Sequence, residues 1–151
     1  MRAISKAGAV VAAALFGYSS LGLADDHPYT EGTVWDVAMI RVKPGKQEDY
    51  YKSLLASNRK VMDEAKKQGL VLSYKILSGA SANPQDWDYM IVTEYPNMAA
   101  FDSLEAKMDA IGSKIYGSMD KSKKEDEKGM TQRAEIREIF GGKLMRELIP
   151  K

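Results

Sequence analysis

The chain has 151 residues, with 22 Lys+Arg against 21 Asp+Glu, one His and no Cys, and a formal net charge of +1. That length suits one domain with its own core rather than two. Matched, dispersed charge gives no basic footprint for nucleic acid, and a chain without cysteine has no disulfide staples, no thiolate metal site and no lipid-bearing cysteine.

Residues 1–24 have the three-part pattern of a secretory signal peptide. Arg2 and Lys6 begin it, "AGAVVAAALFGY" is its apolar run, and Gly22 and Ala24 set cleavage before Asp25. The run is short of the roughly 20 apolar residues of a membrane span. The expected product is periplasmic or secreted and, once cleaved, free of the membrane. Cleavage removes two bases and no acid, leaving 20 Lys+Arg against 21 Asp+Glu. Residues 25–33, "DDHPYTEGT", read as a polar leader, and residues 34–151 as the domain.

The first predicted strand is Val34 to Val42, stopped by "KPG". A helix follows from Lys46 to Gln68, with Tyr51, Leu54, Leu55, Asn58, Val61, Met62 and Ala65 along one face and Gly69 at its end. Strands are expected at Leu70 to Ser78 and Trp87 to Tyr95. A second helix, with Asn97 as its cap, carries Met98, Phe101, Leu104, Met108, Ile111 and Ile115 inward and ends or bends near Gly112 and Gly117. "SMDKSKKEDEKG" reads as a solvated connector, Thr131 to Phe140 as strand four, and residues 141–151 as a short tail beyond a "GG" bend.

The order βαββαβ is that of an α+β, ferredoxin-like unit: a four-stranded antiparallel sheet with two helices on one face. Alternation then assigns the faces. Ala38, Ile40 and Val42 fall under the helices, together with Ala134, Ile136 and Phe140. Trp35, Val37, Met39, Arg41, Ser73, Lys75, Met90, Val92, Glu94, Arg133, Glu135 and Arg137 fall on the uncovered face. Its middle is apolar and its edges charged, the anatomy of an interface with a second copy.

"VKPGKQEDYY" after strand one and "TEYPNMAAFD" between strand three and helix two resemble the dimeric α+β barrels of the antibiotic-biosynthesis-monooxygenase-like group, over about residues 34–140. The resemblance implies a homodimer with sheets face to face and a cavity near the sheet, the helices or the interface. Members include cofactor-free oxygenases and haem-degrading enzymes. Haem-binding members place a His ligand on helix two, where "AAFDSLEAKMDAI" has none, and His27 stands in the leader.

One His and no Cys also leave no imidazole or thiolate metal site and no Ser–His or Cys–His pair. Asp86 and Asp88 read as solvent-facing rather than as an acid–base pair. No cofactor is therefore expected, and whether the chain is an enzyme stays open. The candidate ligand-binding residues are Trp35, Arg41, Asn58, Lys75, Trp87 and Glu94. Asn58 interrupts an apolar helix face, either for a ligand or for a neighbouring backbone group. Arg41 or Lys75 would meet an anionic group. The expected role is binding a small, partly apolar or anionic molecule. The alternatives are a cofactor-independent monooxygenase and a purely structural or interaction module.

Overall fold

The computed structural model describes residues 27–151, so the expected signal segment lies outside the described residues. Four strands, β1 (Tyr29–Val42), β2 (Ser73–Ser78), β3 (Tyr89–Tyr95) and β4 (Arg137–Pro150), form one sheet in the order β2-β3-β1-β4. Every neighbouring pair is antiparallel. Three helices accompany it, α1 (Gln47–Lys67), α2 (Leu104–Tyr116) and α3 (Met119–Ala134), with a 3-10 turn at Met98–Phe101. The strand order is that of the ferredoxin-like α+β fold.

The alternating strands β1 to β3 fall as their patterns dictate. Ile40 and Val42 are buried against Tyr50, Leu54 and Tyr89 at one end of the helix side. At the other end Val34, Ala65, Val71, Tyr95 and Ile111 form a second cluster. Register puts Trp35 opposite Glu94, Val37 opposite Val92 and Met39 opposite Met90 on the other face. Gly69, at φ +74°, closes α1 in the left-handed conformation that glycine adopts without strain.

Several elements differ from expectation. On α1 the buried tyrosine is Tyr50, fully enclosed, whereas Tyr51 is 43% exposed. The inward stripe runs Tyr50, Leu54, Ser57, Val61, Ala65, one residue out of phase with the predicted start. Asn97 makes no side-chain cap bond, and α2 begins only at Leu104.

The charge-dense connector is helical. Ser118 caps α3 by accepting the Lys121 N–H at 3.2 Å, and the helix continues to Ala134. Strand four therefore starts at Arg137, and the supposed tail is most of β4. With that partner in place β1 reaches back to Tyr29, opposite Pro150, so Tyr29 to Thr33 belong to the strand rather than to a loose leader. Arg133 and Glu135 are consequently not on the free sheet face. Arg137 pairs with Val42 and faces the helices, and a register shift beside Ile139 turns Phe140 toward Arg41 on the opposite face.

Asp88 is buried at 8% exposure rather than solvent-facing, and its Oδ1 accepts the Val42 N–H at 2.9 Å. Asp86 accepts the N–H groups of Ala82 and Trp87, ordering the turn before β3. Both aspartates are structural. Asp88→Ala would leave the buried Val42 N–H unpaired, at a cost of about 1–3 kcal/mol. Asp88→Asn, which keeps an acceptor, should retain most of that stability. Urea denaturation checks the pair, and equal midpoints for the two variants would contradict it.

Candidate functional site

Helices α1, α2 and α3 do not seal against the sheet. Between them lies a cleft of about 450 Å³. Leu54, Val61 and Met62 of α1, Ile91 of β3, Met108 of α2 and Met130 of α3 supply its apolar wall. Asn58, Asp109, Asp126, Arg133 and Arg137 supply its polar groups. A smaller cleft of about 170 Å³ lies toward Tyr74, Ile76 and Thr93, and Asn58 lines both.

Two close contacts place α3 against the other helices. A Cβ at Gly129 would stand 3.0 Å from the Cβ of Ser57, and a Cβ at Gly112 would overlap the Ser122 hydroxyl. Ser122, Asp126, Gly129 and Arg133 follow one another at helical spacing, which turns them to one side of α3. Three of the four are buried, and Asp126 remains at the exposed lip.

Arg133 is only 4% exposed. Its Nη1 donates to the Ser57 hydroxyl at 2.6 Å and to the Ser53 carbonyl at 3.2 Å. Both acceptors are neutral. Its Nε is buried with no hydrogen-bond partner, as is the Tyr50 hydroxyl. Burial, and then the like charge of Arg137, pull the Arg133 pKa below the usual guanidinium value. Arg137 also stands over the Tyr50 ring, its guanidinium carbon 5.9 Å from the centroid. Desolvation holds the Asp126 carboxyl above its ordinary range against the opposing pull of Arg133.

Of the six candidates named from the sequence, only Asn58 lines this cleft. Trp35, Lys75 and Glu94 gather on the opposite face of the sheet. Lys75 Nζ lies 5.9 Å from the Trp35 ring, and the Ser73 hydroxyl donates to Glu94 at 2.6 Å. Arg41 stands at the far end of that face with its charge already engaged. Its Nε donates to the Asp86 carbonyl at 2.9 Å, it pairs with Glu138 at 3.7 Å, and it covers the Phe140 ring at 4.2 Å. Trp87 is half-buried just before β3. The sheet thus separates Asn58 from the Trp35 group.

Sequence reasoning missed Arg133, Arg137, Tyr50 and Asp126. The usable signal was the cap at Ser118 followed by sixteen residues without proline. Among the described residues, no cluster of three or more His, Cys, Asp or Glu is arranged to hold a metal ion.

The sequence matches no family model and no curated protein. Among solved structures it is similar to a putative antibiotic biosynthesis monooxygenase from Caulobacter crescentus, at 18% identity and a TM-score of 0.41. That similarity covers 82% of this chain and 92% of the other. So loose a likeness transfers no activity, and the ferredoxin-like arrangement stands on this chain's own strand order.

Proposed function

We propose that this chain is an exported homodimer that holds a small, partly apolar molecule in the cleft between helices and sheet, without metal or prosthetic group. One observation carries the binding reading: a cleft of about 450 Å³ whose mostly apolar wall is interrupted by a few polar groups, among them Asn58. Ligand sites have that composition, with apolar walls supplying affinity and sparse polar groups fixing orientation. Export is inferred from the signal pattern of residues 1–24, and dimerisation from the apolar middle of the uncovered sheet face.

A cofactor-independent monooxygenase is the second reading. A buried cation beside an apolar cavity favours it, because that chemistry needs a stabilised substrate anion while oxygen reacts. Native mass spectrometry of the protein taken from the periplasm or medium of its own cells tests the first reading. The expected spectrum shows a dimer retaining a small molecule. A dimer with bare polypeptide mass in every charge state would refute binding, and a monomer would refute the assembly. Oxygen uptake on adding the recovered molecule would favour the second reading.

A further inference from the structure

We propose that the cleft selects a monocarboxylate, with the carboxylate seated on Arg133 and Arg137 and the apolar body against Leu54, Met62 and Met108. This deepens the reading of the cleft as a binding site and rests on it. The decisive feature is a cation enclosed in the fold with no carboxylate in ion-pair contact among the described residues. Arg133 is 4% exposed, and its two hydrogen bonds go to neutral oxygens of α1. Burying an unpaired charge is costly, and natural folds accompany a buried charge with a partner or a metal.

The guanidinium has donors left over for that role. Nη1 is anchored on Ser57 and Ser53, which fixes the plane. The edge carrying Nε is the one left without a bond. A guanidinium edge presents parallel donors matched to the two oxygens of a carboxylate. Arg137, at the start of β4, lines the same cleft and adds a second positive charge.

Two acids also face the cleft, Asp109 of α2 and Asp126 of α3. Neither is within ion-pair distance of Arg133. Desolvation raises the Asp126 pKa and the Arg133 charge opposes that rise. These acids oppose a ligand with a second negative charge, which is why the proposal is a monoanion. They also define the rival outcome, a site that prefers cations.

Titration calorimetry of the full chain with octanoate, 1-octanol and octylamine separates these outcomes, since the three share one apolar body. The expected order places octanoate at least about tenfold tighter than 1-octanol, as a charge-assisted pair requires. Octylamine should be weakest. Arg133→Met should remove that advantage, bringing octanoate and 1-octanol to similar affinities. The variant is expected to fold, because methionine fills a similar length and the Ser57 hydroxyl keeps the Ser53 and Leu54 carbonyls as acceptors. Arg137→Met, at a half-buried position, should reduce the advantage in part.

Equal binding of octanoate and 1-octanol by the unaltered protein would overturn the carboxylate assignment and leave the cleft reading standing. Tighter binding of octylamine would overturn it in favour of Asp109 and Asp126. Binding of none of the three would overturn both readings. The comparison on the unaltered protein decides the matter even if a variant fails to fold.

Discussion

Met39→Asp is expected to convert the proposed dimer into a monomer. Met39 lies in β1, an inner strand of the sheet, opposite Met90 on one side and Gly141 on the other. Val37 and Val92 form the next facing pair, and Trp35, Val37, Met90, Val92 and Met145 line a shallow apolar depression of about 290 Å³ beside it. Gly141 contributes no side chain, and the methyl of Met39 lies 4.0 Å from where a Cβ would stand. A second sheet packed here would bury these residues at about 25 cal/mol per Å² of apolar surface, less the entropic cost of association. An aspartate at the centre would be taken out of water, at a penalty of several kcal/mol. Since about 1.4 kcal/mol is tenfold in affinity, association should weaken by two or more decades. Lys123→Asp, on the exposed side of α3, should leave the assembly intact. Sedimentation velocity at micromolar concentration reads both variants. A monomeric unaltered protein would refute the interface, and a dimeric Met39→Asp would move it elsewhere.

What was legible in the sequence divides at residue 117. Up to there, burial and chemistry agree along the strands, although α1 starts one residue out of phase and Asp88 is buried. Ile40 and Val42 alternate with Met39 and Arg41 because one side of β1 is core and the other is not. Asn58 could be singled out because it breaks an apolar helix stripe. Beyond residue 117 the agreement ends. The inward side of α3 reads Ser122, Asp126, Gly129 and Arg133, so a search for apolar periodicity finds nothing there. β4 is an edge strand whose Leu144, Met145, Leu148 and Ile149 occur as adjacent pairs, and all four are exposed in the protomer. Strict alternation marks a strand with one buried face, and β4 does not have one. The same cause hid the cleft's cation. Arg133, assigned to a strand edge, was one more rim charge, whereas on a buried helix face it is the residue to explain.

Gly112→Leu is expected to lower stability and to disrupt the cleft together. Gly112 is buried in α2 where that helix meets α3, and a Cβ there would overlap the Ser122 hydroxyl, with the Ser122 Cβ 3.2 Å away. Ser122 is itself 4% exposed, so it has little space into which to retreat. Leucine adds three further carbons to a seam with no room for the first. Overpacking of this kind typically costs about 1–3 kcal/mol, and relief requires α3 to move away from α2. Since α2 and α3 supply Met108, Asp126, Met130 and Arg133 to the cleft, that movement should also abolish octanoate binding. Gly112→Ala isolates the contact, because alanine meets the hydroxyl and little else. Alone it should destabilise, since the clash outweighs a gain of up to about 1 kcal/mol in helix propensity over glycine. Combined with Ser122→Ala, which removes the clashing oxygen, the same substitution should become neutral or stabilising. The difference between the two backgrounds measures the coupling. Equal effects of Gly112→Ala in both, by urea denaturation at a constant denaturant slope, would show that α3 does not rest on α2 through this pair.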